Sequence, residues 1–426
     1  MTATAAEAGR TLTTSERAAR RRQRILGIVY LLAAVVIVIY FALPQAADTQ
    51  SRLVLHLPPT AVQVPDLVLP TGGTMYVLAL IAAFVGAIQL TRGFGARWAL
   101  ALAVVAAVFV FAFLVWVAAG QSMSFTGLLQ TTVQRAVPIV FGALSGILCE
   151  RAGVINIAIE GMLLGGAFVA AVVGSMTGDV WLGMIAATLT GGLLAFLLAV
   201  LAIRYLVDQI VAGFVINILV VGLTSFLSVR VLQQNPGLNT PPRLSAIPIP
   251  LLSDIPILGP ILFRHNIFIY ALYILVIVIF VGLFYTRWGL RVRAVGEHPR
   301  AADTVGTNVN FVRYRNVILG GLVAGFGGAF FTLGAGVGFE REMTAGRGFI
   351  GLAAMIFGGW NPLGAAGAGL VFGLADAIQA RTAILAIPIP SEFLLMLPYI
   401  VTIIVVAGLV GRVRAPAADG QPYKKE

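Results

Sequence analysis

Long apolar runs recur along the chain, separated by short polar stretches. They lie at 25–43, 75–90, 98–119, 129–149, 154–176, 180–203, 209–232, 267–285, 316–336, 363–380 and 393–409. About 20 apolar residues in a helix cross the hydrocarbon core of a bilayer, which is about 30 Å thick. The runs are continuous rather than alternating, so they predict helices and not the strands of a membrane barrel. A twelfth apolar stretch, 349–359, is short: as a helix it would measure roughly 16 Å. Counting it as a broken crossing gives an all-α, polytopic membrane protein with twelve crossings and both ends on one side.

The polar stretches punctuate this pattern. Residues 1–24 are polar and end in Arg17, Arg20, Arg21, Arg22 and Arg24. The run that follows is longer than the apolar core of a cleaved signal peptide, about 7 to 15 residues, so it reads as a retained helix. Residues 45–74 are a proline-rich loop, and residues 233–266 hold seven prolines, which predicts extended backbone. Residues 25–120 read as an N-terminal extension, 121–411 as the core, 286–315 as a loop within it, and 412–426 as a tail.

Charge changes the picture in one respect. Hydrophobic residues make up 59% of the chain and charged ones 11%, with a net charge of +11. Twenty of the 28 lysines and arginines fall in segments on one side of the expected topology: 1–24, 91–97, 150–153, 204–208, 287–315 and 412–426. This is the positive-inside bias. It accounts for the basic balance without nucleic acid and places both termini in the cytoplasm. Cys149 is the single cysteine, and His56, His265 and His298 are scattered. No disulfide or metal cage is expected, and no cofactor.

The stretch from Thr286 to Arg315 stands out between two crossings. It carries Arg287, Arg291, Arg293, Arg300, Arg313 and Arg315. Pro299 suits a first helical position, Ala301, Ala302 and Asp303 continue it, and Gly306 suits the stop. Such a helix is about 10 Å long, too short for a domain and well sized to plug into a groove on another protein. Gly296, Glu297, His298, Pro299, Ala301, Ala302 and Gly306 are therefore expected to couple the membrane part to an ATPase.

Catalytic signals are missing. The only lysines are Lys424 and Lys425, so no nucleotide-binding loop is present, and no catalytic triad or carboxylate pair stands out. Glycines four apart, notably Gly161/Gly165 and Gly321/Gly325, predict close helix approach. Polar residues inside apolar segments are few. Asn156 and Glu160 are expected to share one helix face, with Asn217 on a second helix. These three are candidates for lining a solute path, with structural pairing between helices, or capping of a break, as the alternative. Asp376 reads as structural, with Arg381 close by.

Three motifs in order carry a family resemblance: ERAGVINIAIEGMLLGGAF (150–168), GLRVRAVGEHPRAADTVGTNVN (289–310) and REMTAGRGFIGLAAMIFGGWNPLGAAGAGLVFG (341–373). Together they resemble the permease subunits of bacterial ABC importers, in the group that carries ribose, branched-chain amino acids and nucleosides. The first motif is most similar to the nucleoside branch. The resemblance covers about 127–411. It implies a ten-helix core like that of the cobalamin-type importers, a coupling helix after the sixth core helix, and residence in the bacterial plasma membrane in contact with lipid. It also implies three partners: a cytoplasmic ATP-binding subunit, a second and related permease chain, and an extracytoplasmic substrate-binding lipoprotein. Permeases for simple sugars or branched-chain amino acids, and an autonomous secondary transporter, are the alternatives.

Overall fold

The computed structural model describes residues 14–58, 64–384, 396 and 414–425. Ten helices among them are long and apolar enough to cross a membrane. The expected crossing at 393–409 lies outside the described residues but for Met396, and residues 1–13 lie outside as well.

The chain divides into two compact units, Met1–Thr126 and Gly127–Glu426. The first holds α1 (Thr14–Val36), which continues as a π-helical turn to Ala42, α2 (Thr71–Thr91) and α3 (Trp98–Val117). Phe41, at the end of α1, stacks on Trp116 with centroids 5.2 Å apart. The proline-rich loop folds into a small sheet: β1 (Gln50–Val54) pairs antiparallel with β2 (Leu67–Pro70) and parallel with β3 (Ser122–Ser124). Asp66 receives Arg52 at 2.6 Å, beside His56, and these two partners hold its carboxyl below the usual carboxylate range.

The second unit starts within α4 (Phe125–Glu150) and continues through α5 (Ile159–Thr177), α6 (Val180–Ala199), α7 (Gln209–Leu227) and α8 (Ile267–Tyr285). The arginine-rich stretch and the helices after it follow: α9 (Arg287–Glu297), α10 (Pro299–Thr304), α11 (Val309–Ala329), α12 (Arg347–Phe357) and α13 (Pro362–Ile384). Side-chain caps set several starts. Asp179 accepts the Trp181 N–H ahead of α6, Asp208 accepts those of Ile210 and Val211 ahead of α7, and Asn308 accepts that of Phe311 ahead of α11. Each satisfies a backbone donor that the first turn leaves unpaired.

α4 is buried along nearly its whole length. Its Val137, Val140, Phe141 and Leu144 anchor one apolar core shared with α8 to α13, and a second core lies among α5, α6, α7 and α11. Residues 247–248 and 264–265 of the proline-rich loop pair as a two-residue ladder.

Two expected boundaries are corrected. The segment read as helix from residue 154 becomes helical only at Ile159. Gly153 has φ +81°, a conformation glycine adopts without the Cβ penalty, and side chains then hold residues 154–158 out of the helix. Conversely, α11 begins at Val309 rather than 316, because Arg313 and Arg315 hid its first two turns from a reading by hydropathy.

α11 crosses α6 at glycines. A Cβ at Gly325 would meet the Ala187 carbonyl and stand 2.9 Å from Gly191 Cα, and one at Gly321 would meet the Gly191 carbonyl. Gly161 is close to Asn217, while Gly165 has only side chains near it. Gly325→Leu must push two backbones apart, which exceeds the roughly 1–3 kcal/mol of ordinary overpacking. It should abolish recovery of monodisperse protein. Gly222→Leu, at a glycine facing open space, should be recovered normally; equal behaviour of the two in size-exclusion chromatography would contradict this crossing.

Candidate functional site

α12 is eleven residues long, too short to span a membrane, so both its ends need partners. The segment 150–160 supplies them. The Glu160 carboxylate, in the first turn of α5, accepts the Thr344 hydroxyl at 2.6 Å and the N–H groups of Gly346 at 2.8 Å and Gly348 at 2.6 Å. At the other end, Arg151 donates to the carbonyls of Trp360 at 3.0 Å and Gly359 at 3.2 Å, just past the helix. Glu150 accepts the Trp360 indole N–H at 2.7 Å. An acid at the N-terminus and a base at the C-terminus both match the helix dipole. Burial pulls the Arg151 guanidinium below its ordinary value, and Glu297 opposes that shift.

Asn156 and Asn217 shape the break that makes this grip possible. Asn156 is not on a helix, so the expected shared face with Glu160 does not form. Its amide oxygen accepts the Ala158 N–H at 3.1 Å, and its nitrogen lies 3.4 Å from Cys149 Sγ. Asn217 bridges the break: it accepts the Gly161 N–H and donates to the Ile157 carbonyl, both at 2.8 Å. Gln209 accepts the Ile155 N–H at 2.7 Å. All of these side chains are buried. Gln209, Thr344 and Trp360 were not visible as site residues in the sequence, because their roles depend on partners distant along the chain.

A cavity of about 650 Å³ lies at the end of α11 away from the arginine-rich loop. Arg135 and Pro138 of α4, Asn266, Phe331 and Arg347 are among its lining residues, and Asn156, Glu160 and Asn217 are not. Asp376 of α13 holds two of its four arginines, at 3.0 Å from Arg347 and 3.5 Å from Arg135. The Arg347 guanidinium also sits 5.8 Å from the centre of the Phe331 ring.

The arginine-rich stretch is two helices rather than one. α9 precedes the expected short helix, and Thr286 caps it by accepting the Gly289 N–H at 3.2 Å. Pro299 opens α10, and Gly306, at φ +84°, follows its end. Glu297, His298, Ala301 and Gly306 are exposed. Ala302 is buried in the core with Val295 and Val309, so of the alanine pair only Ala301 faces outward. Gly296 is buried, and a Cβ there would meet the Arg151 carbonyl.

Packed elements join the short, doubly gripped helix to the exposed knob formed by α10. Comparison with known proteins identifies the arrangement. The family model described as branched-chain amino acid transport system / permease component matches residues 128–406. The chain belongs to this permease family. The guanosine ABC transporter permease protein NupQ of Bacillus subtilis is 38% identical over 303 residues, 69% of this chain and 95% of that one. The nucleoside ABC transporter permease protein NupC of Lactococcus lactis is 40% identical over 299 residues, 68% and 93% of the two chains. A putative glucose ABC transporter permease, TsgC13 of Haloferax volcanii, is 33% identical over 328 residues, 71% and 99%. No solved structure matches.

The grip on α12 has a measurable strength. In this permease, Glu160→Ala leaves three donors without a partner and should cost on the order of 3 kcal/mol, read as a lower thermal unfolding midpoint. Glu160→Gln keeps an acceptor and should cost less. Equal midpoints for wild type and Glu160→Ala would remove the carboxylate from the support of α12.

Proposed function

We propose that this chain is the membrane-spanning permease subunit of an ATP-binding cassette importer that carries nucleosides. The observation that carries the reading is the likeness to the guanosine and nucleoside permeases, 38% and 40% identical over nearly their whole lengths. The glucose permease likeness is lower, at 33%, and a sugar substrate is the second reading.

In this account the arginine-rich loop faces the cytoplasm, as the positive-inside bias requires. α10 enters a groove on a separate ATP-binding subunit, which hydrolyses the nucleotide, with Ala301 at the contact. A second permease chain completes the pore, and an extracytoplasmic binding protein delivers the solute. The cavity beside Arg135 and Arg347 receives it: it is large enough for a nucleoside, and Arg135, Arg347 and Asn266 among its lining offer polar groups to one. Glu160, Asn156 and Asn217 act as braces of the helices around the path.

Uptake of radiolabelled guanosine by cells expressing the whole system tests this. Uptake should depend on this chain and on ATP, and other nucleosides should compete with it while glucose does not. Competition by glucose with no effect of nucleosides would favour the sugar reading; uptake that persists without ATP would overturn the importer reading.

A further inference from the structure

The described part of the tail, residues 414–425, forms no helix or strand, yet it is fastened to four elements. The Ala418 N–H donates to the Gly296 carbonyl at 2.9 Å, and the Ala417 N–H to the Glu297 carboxylate at 3.2 Å. Gly296 and Glu297 end α9, where helix carbonyls lack intrahelical partners, so the tail acts as an added cap. The buried Arg313 of α11 donates to the Gln421 carbonyl at 3.0 Å. Tyr423 is buried in the core that also holds Val292, Val295, Ala302 and Val312. A Cβ at Gly153 would lie 3.1 Å from the Ala418 carbonyl, so the α4–α5 turn closely follows the tail's path. Lys425 reaches Asp303 of α10 at 3.8 Å, but it is exposed, and such pairs contribute little.

Two further details indicate a fitted seat rather than an incidental lie. Asp419 is sheltered beside Glu150 and Arg313, and burial pushes its carboxyl up to about 6 against the pull of Arg313. Glu297, which is exposed, turns one carboxylate oxygen to the tail. The tail therefore ties the end of α9 to α11 and to the turn after α4.

We propose that residues 417–423 are a brace that sets the orientation of α9 and α10, so that a push on α10 reaches α4 and α11. Ala418, Tyr423 and Glu297 are positioning residues in this device. Without the brace, the end of α9 loses the Ala417 and Ala418 donors and the core loses Tyr423, and a push on α10 would be taken up by local movement. The part about force transmission rests on the importer reading above; the part about orientation does not.

The experiment uses the full chain in nanodiscs, with and without its ATP-binding partner. Ala418→Pro removes the donor to Gly296, and Tyr423→Ala removes the apolar anchor. Amide exchange across 297–306 should accelerate in both variants, by about fivefold in Ala418→Pro, which loses a net hydrogen bond of about 1 kcal/mol. In the assembled complex, ATP hydrolysis should continue while solute moved per ATP falls, which a loss of fold alone would not produce. Unchanged exchange in both variants overturns the brace. Faster exchange with an unchanged transport-to-hydrolysis ratio overturns its role in coupling. A wild-type complex with no ATP-driven transport refutes the importer reading, and the exchange measurement still decides the brace.

Discussion

The structure depends on how a helix of eleven residues is kept inside an apolar protein. α12 cannot reach both membrane surfaces, so its unpaired N–H groups and carbonyls would otherwise lie where water cannot satisfy them. The twelve residues ERAGVINIAIEG solve this as one unit. Glu160 takes the donors at the N-terminal end of α12, and Arg151 with Glu150 holds the turn past its C-terminal end. Between them, residues 154–158 leave the helix, and α5 resumes at Ile159. Asn156, Asn217 and Gln209 provide the hydrogen bonds that a helix would have supplied there.

This constraint propagates to both faces. On one, Arg347 opens α12 and is held by Asp376, so the cavity wall is fixed to the same helix that Glu160 grips. On the other, the turn at 151–153 packs against Gly296 and Ala418, linking the end of α4 to α9 and the tail. Between the two, α6 and α11 are in close backbone contact, allowed by Gly191, Gly321 and Gly325.

Much of the fold was legible because hydropathy reports on membrane crossing directly, and the long segments appear close to their expected limits. The start of α11 was missed because Arg313 is buried through contact with the tail, a partner over a hundred residues away. The break at 154–158 was missed for a related reason. VINIAI is largely apolar and reads as a continuing helix; the side chains of Gln209 and Asn217, which arrive from α7, join Asn156 in making the alternative backbone favourable. Of the coupling residues, the α10 limits were legible from Pro299 and Gly306, whereas the inward turn of Ala302 and the turn of Glu297 toward the tail depend on packing. Asn156, Glu160 and Asn217 were expected to line a solute path, but their hydrogen bonds run to backbone groups, to the Thr344 hydroxyl and to Cys149, and none of the three lines the cavity.

The central claim is that α10 is where an ATP-hydrolysing partner engages this permease. A photo-crosslinking amino acid placed at Ala301, exposed at the turn of α10, tests it most directly, with Phe226 on the exposed face of α7 as the control. The account predicts an adduct from position 301 that contains an ATP-binding subunit, and none from position 226. Absence of that subunit from the 301 adduct, or equal capture from both positions, would contradict it.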